Sequence, residues 1–448
     1  MAPAVPHDEY SSGLKSSGRR TETMIVQNFF LVLDSGVIDH MVVGLIKDPK
    51  MGTTIFVLLM IYLVMIKCAS SSEEGDRSSL FKKQEDYDLE DLELQPAKLL
   101  ISNKPAAVKS IKTKNGDIYD CVDIKKQPAF DHPLLRNHTI QMKPSSFPVG
   151  LMVNKELLES KPSDTTGVKG KRCPPGTVLI QRTQKEEDIT SMAKSQFATF
   201  QLGGLDRKYY GGYVHFGIDQ PKVSSINQFS ASVLWIENGP IHQLNSIQVG
   251  WTVNPRLFGD NKTRVFSYWT ADGFHKTGCF NLLCPGFVQV SRKKTLGTVY
   301  DVISIYGGQQ YEDDFLVYKD PNSGNWWYVT YLNGGHEAVG YWPSTLFTTL
   351  RDSASMITAG GEVYSPTSEG SPQMGKGVFP VRGDSRLAAS ARRLQFMDEK
   401  QLLLDPIASL LKIQTDNPAC YKVELVNTPY EYWKNSILFG GPGGACGN

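Results

Sequence analysis

Along the second half of the chain, apolar and polar residues alternate with a period of two in short runs. These runs are YYGGYVHF (209–216), FSASVLWIE (229–237), SIQVGWTV (246–253), TRVFSYWTA (263–271), GFVQVS (286–291), TVYDVISIY (298–306), FLVYKD (315–320), NWWYVTYL (325–332) and GEVYS (361–365). Such runs, broken by turn residues, predict strands with one face against a core. Asp320-Pro321-Asn322-Ser323-Gly324-Asn325, between two aromatic runs, reads as a hairpin turn. Residues 388–411 look partly helical, and residues 421–426 return to strand character. The recurrence of short strands predicts an all-β fold over residues 204–448, an antiparallel β-sandwich of jelly-roll-like type. Within SIQVGWTV, Gln248 lies between Ile247 and Val249, so alternation points it away from the apolar face.

The pattern changes upstream. Residues 99–150 hold short β-prone runs around the turn signal Asn115-Gly116, which predicts a small β-rich unit with a hairpin. Residues 151–203 mix charge with Pro174-Pro175-Gly176 and the basic run Lys169-Gly170-Lys171-Arg172. They read as an exposed linker with a candidate processing site. Residues 71–98 are polar and charged, a composition that cannot bury enough apolar surface to fold alone.

Ahead of that linker, residues 55–66 (IFVLLMIYLVMI) form a continuous apolar stretch followed by Cys68, Ala69, Ser70 and Ser71. The run is short for a bilayer span and reads as the core of a signal peptide within 51–70. Met51 directly precedes it, so residues 1–50 read as a non-native or disordered extension. If they are native, the same stretch serves as an uncleaved signal anchor, the one membrane contact expected. Sequons at Asn137 and Asn261 fit a lumenal route. The expected destination is the extracellular space, the apoplast, or the vacuole.

Charge narrows the partners. With 47 basic and 46 acidic residues the net charge is +1, which gives no electrostatic reason to expect nucleic acid. Of the seven cysteines, Cys68 lies in the targeting segment and Cys121, Cys173, Cys279, Cys284, Cys420 and Cys446 remain. An even set without a C-x-x-C pair suits a disulfide framework in an exported protein. Cys279 with Cys284 is the local pair, Cys121 with Cys173 would tie the upstream unit, and Cys420 with Cys446 would staple the C-terminus, although the spacing leaves the connectivity open. No G-x-S-x-G elbow is present, and His336-Glu337-Ala338-Val339-Gly340 lacks the second histidine of a zinc peptidase helix. None of the eight histidines is paired at a metal-ligand spacing, so no metal site is expected.

Several dense local patterns remain. In the upstream unit these are Asp120-Cys121-Val122-Asp123-Ile124, Gln127-Pro128-Ala129-Phe130-Asp131-His132-Pro133-Leu134-Leu135 and Pro144-Ser145-Ser146. Downstream are Gly250-Trp251, Gly259-Asp260, Tyr268-Trp269-Thr270-Ala271-Asp272-Gly273, Thr277-Gly278-Cys279 and Cys284-Pro285-Gly286-Phe287-Val288-Gln289. They continue with Gly324-Asn325-Trp326-Trp327, Val339-Gly340-Tyr341-Trp342-Pro343, Gly360-Gly361-Glu362 and Phe439-Gly440-Gly441-Pro442-Gly443-Gly444. Together they resemble the neprosin family of plant proteins, from about residue 99 to the C-terminus.

The resemblance implies an exported zymogen. A pro-domain over residues 99–150 would inhibit a β-sandwich peptidase that acts on peptide or protein substrates, favours proline at the cleavage site, works in acid and needs no cofactor. It also implies two acidic residues, one in the strand ending Gly-Trp and one in the Gly-Gly-Glu strand. Here the second is Glu362, whereas the first is Gln248. A like-charged pair would split its pKa values into an acid and a base. Gln248 cannot exchange a proton, but its amide can donate to a developing oxyanion. Glu362 would then activate water and protonate the leaving amine in turn. The fungal eqolisins, another glutamic-peptidase family, are similar in pairing Glu with Gln on a β-sandwich. The alternative is a catalytically inactive sandwich, a binding or structural protein of the cell wall. Ala359 stands where a tryptophan often precedes Gly-Gly-Glu in relatives.

Overall fold

The computed structural model describes residues 105–151, 161–162, 172–182, 193–204, 207–332, 335–381, 384–426 and 433–446. The extension 1–50, the apolar segment 55–66, the polar linker and the basic residues 169–171 lie outside the described residues.

The upstream unit is a three-stranded antiparallel sheet of β1 (Ala107–Lys112), β2 (Ile118–Asp123) and β4 (Thr177–Gln181), in the order β1-β2-β4. The expected hairpin joins β1 to β2, with Gly116 at a φ of +91° in its turn, a conformation that costs a side chain-bearing residue energy. Cys121 on β2 is bonded to Cys173 just before β4.

Two larger sheets face each other downstream. One has seven strands in the order β10 (Cys279–Phe280), β9 (Arg264–Thr270), β8 (Asn245–Val253), β7 (Phe229–Asn238), β15 (Met356–Pro366), β5 (Ala193–Gly203) and β18 (Leu411–Thr415). The other has ten. Its main path runs β11 (Val288–Gln289), β14 (Gly335–Trp342), β13 (Trp326–Leu332), β12 (Tyr311–Lys319), β6 (Gly211–Gly217), β16 (Ala389–Met397), β20 (Ser436–Gly440) and β19 (Lys422–Val426). β17 (Leu403–Leu404) pairs with β16, and β3 (Lys161–Pro162) lies parallel to β12. The fold is therefore the expected all-β sandwich behind a small β unit.

The main core lies between the sheets, because alternation sends every second side chain inward. Ile247, Val249, Trp251 and Val253 of β8 are fully buried there. The Trp251 indole crosses the gap and donates to the Gly217 carbonyl of β6 at 2.8 Å. Trp326, Trp327, Tyr341 and Trp342 are fully buried as well, so these aromatic residues serve packing. Cys279 is bonded to Cys284 and Cys420 to Cys446, which fixes the connectivity the spacing left open.

Three sequence expectations change. Residues 298–306 form no named strand: Val299 meets Arg264 of β9 by one bridge, and β10 takes the opposite end of that edge. Residues 388–411 are not helical apart from a 3-10 turn at Ala408–Leu410, because β16 lies between β6 and β20 and its backbone groups find sheet partners. Tertiary pairing overrides a weak local pattern there. Residues 193–203, placed in the linker by composition, form β5, an interior strand between β15 and β18.

The segment after β2 runs over the outer face of the ten-stranded sheet. Ala129 is buried there among Tyr213, Leu316, Tyr318, Trp327 and Tyr341, with Phe130 and Ile140 packed against them. Gln127 and Gln289 exchange two hydrogen bonds, and Asp320 Oδ2 accepts from the Ser145 backbone and hydroxyl. Buried Arg264 of β9 pairs with Asp117 at 2.9 Å and Asp260 at 2.7 Å, tying the β1–β2 turn to the sandwich.

Replacing Trp251 by alanine removes both the largest inward side chain of β8 and the bond to Gly217. Denaturant unfolding is expected to show a loss of about 3–5 kcal/mol, and a loss below about 1 kcal/mol would contradict its place in the core.

Candidate active site

The outer face of the seven-stranded sheet is where the predicted residues meet. In β8 the inward set leaves Ser246, Gln248, Gly250 and Thr252 on the outer face. In β15, Ile357, Ala359 and Val363 are buried inward, which leaves Thr358, Gly360, Glu362 and Tyr364 outward. Ala359 faces the core and does not line the site. Glu362 and Gln248 therefore share one face.

Cross-strand register sets their spacing. Glu362 stands in a row with Phe197 of β5, Ala231 of β7 and Thr252 of β8. Gln248 stands in a row with Trp235, Thr358 and Tyr268. The row between them is Thr199, Gly360, Val233, Gly250 and Phe266. Successive rows on one face are roughly 7 Å apart, so the two residues flank a shallow row that contains two glycines. A side chain at Gly250 would collide with the Ser232 carbonyl oxygen. At Gly360, where φ is +151°, it would collide with that of Ala198. Both positions require glycine, which leaves bare backbone in the row between Glu362 and Gln248.

Polar and aromatic groups complete the face. The hydroxyls of Thr199 and Thr358 are buried without a hydrogen-bond partner among the described residues. Unpaired buried hydroxyls are costly unless a ligand or water meets them. Phe229 and Tyr364 stack at 5.2 Å beside Glu362, while Phe197 meets Trp235 edge-on at 5.9 Å. Among the described residues no group of three or more His, Cys, Asp or Glu could hold a metal ion.

Glu362 is half-buried, and the Ser195 hydroxyl of β5 donates to its Oε1 at 3.0 Å. Burial raises its pKa to about 7; the Ser195 bond opposes this and the charge of Glu237 adds to it. Glu237 is a residue the sequence reading missed. It sits at the end of β7, outward like Val233 and Trp235, only 8% exposed. Burial raises its pKa to about 7 as well, opposed by the Ser246 hydroxyl that donates to Oε1 at 2.9 Å. The run Glu237-Asn238-Gly239-Pro240 looks like a turn leading out of a strand, which is why the residue attracted no notice. Its parity with Val233 and Trp235 was the available signal. Gln248 Nε2 lies 3.5 Å from Ser246 Oγ and makes no hydrogen bond to Glu362 among the described residues.

Sequons at Asn137 and Asn261 both present exposed asparagines.

Comparison with known proteins gives two family matches in chain order. The profile described as Neprosin activation peptide matches residues 110–201, and the profile described as Neprosin matches residues 226–442. Among solved structures, the chain is similar to scytalido-glutamic peptidase bound to a peptide-based transition-state analogue, at 9% identity and a TM-score of 0.30, over 55% of this chain and 98% of that one. It is similar to the eqolisin-family peptidase SCP-B bound to the tripeptide Ala-Ile-His with the same identity, TM-score and coverage.

Both glutamates bind a proton more tightly folded than unfolded. Their contribution to stability is complete below about pH 4.5 and is lost as pH rises through about 7. Wild type is expected to lose up to about 3 kcal/mol per carboxyl between pH 4.5 and 8. Denaturant unfolding of Glu362→Gln and Glu237→Gln at those two pH values should show a correspondingly smaller fall in each variant. An unchanged fall would mean that the carboxyls are not desolvated.

Proposed function

The chain belongs to the neprosin family, with the activation peptide ahead of the catalytic domain, and on that premise we propose that it is an exported glutamic endopeptidase. It hydrolyses peptide bonds near proline after its pro-segment is removed. The observation that carries this reading is a desolvated glutamate, Glu362, on the same sheet face as Gln248 with a glycine-containing row between them.

The chemistry follows from that arrangement. A peptide in extended form crosses the row of Gly360 and Gly250, and the free hydroxyls of Thr199 and Thr358 meet its polar groups. Ionised Glu362 takes a proton from water as the oxygen attacks the scissile carbonyl. A Gln248 N–H donates to the oxygen that becomes negative, which lowers the barrier. Glu362 then returns the proton to the nitrogen as the C–N bond breaks. A carboxyl tuned to about 7 exchanges protons in both directions in mild acid and near neutrality. The stacked Phe229 and Tyr364 beside Glu362 offer a flat apolar surface to a pyrrolidine ring, which supports the proline preference.

The activation segment acts as the chain's own inhibitor in this reading, and the secretory route leads to the apoplast or vacuole with glycans at Asn137 and Asn261. Processing has a geometric limit. A cut at the basic run 169–172 would leave β4 paired to β2 and Cys173 bonded to Cys121. A cut after Ala193 would sever β5, which carries Ser195 against Glu362. Release of the upstream unit therefore calls for cleavage between β4 and β5. N-terminal sequencing of the acid-processed protein is expected to place the mature start within residues 183–193, and a stable mature form starting beyond residue 199 would refute the role of β5.

For activity, the acid-processed protein is expected to cleave a proline-containing peptide. Glu362→Gln should lower kcat by about 10²–10⁴-fold and Gln248→Ala by about 10²–10³-fold, while Gln248→Glu keeps turnover. An inactive wild type with turnover appearing in Gln248→Glu would overturn the proposal in favour of a non-catalytic cell-wall protein.

A further inference from the structure

We propose that Glu237 is the second acid of this site, a positioning residue that holds the Gln248 amide in its donating orientation through the hydroxyl of Ser246. The inference rests on the peptidase reading and adds a residue to it. Ser246 lies directly opposite Glu237 in the β7–β8 register, and Gln248 lies two residues further along the same face. The hydroxyl has one proton, and it goes to Glu237 Oε1 at 2.9 Å. Ser246 Oγ is thereby left as an acceptor, and the group that approaches it is Gln248 Nε2 at 3.5 Å. A side-chain amide has two ends that differ only in N and O. An acceptor beside Nε2 selects the rotamer in which nitrogen stays on that side. Its second N–H is then the one free to meet an oxyanion.

The cost of Glu237 argues for a role beyond packing. A carboxyl this buried with only a hydroxyl partner is destabilising relative to an apolar residue. Among the described residues, no cation is in the groups that act on it. The carboxyl also acts on Glu362, whose pKa its charge raises. One buried acid thus reaches both residues of the site, one through a hydrogen-bond relay and the other through its field. The pair lacks a second carboxylate at position 248, and the chain holds one on the adjacent strand.

Three variants of the full chain separate these roles. Glu237→Gln keeps a carbonyl that accepts from Ser246 but removes the charge, Glu237→Ala removes both, and Ser246→Ala cuts the relay while leaving the acid. Hydrogen exchange of the Gln248 side-chain amide, followed by ¹H–¹⁵N NMR, is expected to be slow in wild type and Glu237→Gln and at least about tenfold faster in the other two. After acid processing, Ser246→Ala and Glu237→Ala should lose about 10–100-fold in kcat with KM little changed. Glu237→Gln should keep its plateau kcat and shift the acidic limb of kcat/KM to lower pH, because Glu362 has lost its charged neighbour. Equal exchange in wild type and Ser246→Ala overturns the relay, whether or not the protein cleaves peptides. Slow exchange in a wild type that shows no turnover, with faster exchange in Ser246→Ala, upholds the relay and removes the peptidase reading instead. If the alanine variants change only in thermal unfolding, with exchange and pH profile untouched, Glu237 is structural and the proposal fails.

Discussion

Everything at the Glu362 site depends on the two-residue alternation of β8, β7 and β15. Each strand buries one face between the sheets, through Trp251 and Val249, Leu234 and Ile236, or Ile357 and Ala359. The opposite face is thereby fixed, and a slip of one residue would exchange Glu362 for Val363 and Gln248 for Val249. The register is held by a core too well packed to allow the slip. The outer face can therefore carry groups that stability alone would not select: two glycines in one row, threonine hydroxyls without a partner among the described residues, and two desolvated carboxyls.

Those carboxyls show how the fold converts burial into a raised pKa. In water each glutamate would be ionised at neutral pH. Burial on the sheet face that also carries Phe197, Trp235 and Tyr268 disfavours the charged form, and the proton is held to about 7. The same field raises the Tyr268 hydroxyl, to which Asp272 and Glu362 also contribute. A cation beside either carboxyl would favour the ionised form and release that proton; among the described residues none is in the groups that act on them.

The activation segment engages the molecule elsewhere. The stretch of it after β2 lies on the outer face of the ten-stranded sheet, where Tyr341 OH meets His138 and the backbone of Gln141, and Asp320 meets Ser145. The match to the activation peptide nevertheless continues to residue 201, into β5 and the serine that touches Glu362. Chain connectivity thus joins the covered sheet to the site on the other, and β5 is the element common to both.

The residues themselves carried much of this. Period-two alternation, turn residues and paired cysteines specify a disulfide-linked β-sandwich, because those patterns reflect local geometry and the partition of apolar side chains. Alternation alone also placed Gln248 on the face away from Ile247 and Val249. Tertiary structure decided the rest. Residues 193–203 and 389–397 became strands only because neighbouring strands satisfy their backbones, and no local pattern records a partner that lies far along the chain. Glu237 looked like the approach to a turn and acquired meaning only when register set it opposite Ser246 and the sheet brought its charge to bear on Glu362. Sequence determines which side chains leave water, but which of the polar ones are left together in that dry face is decided by the pairing of strands.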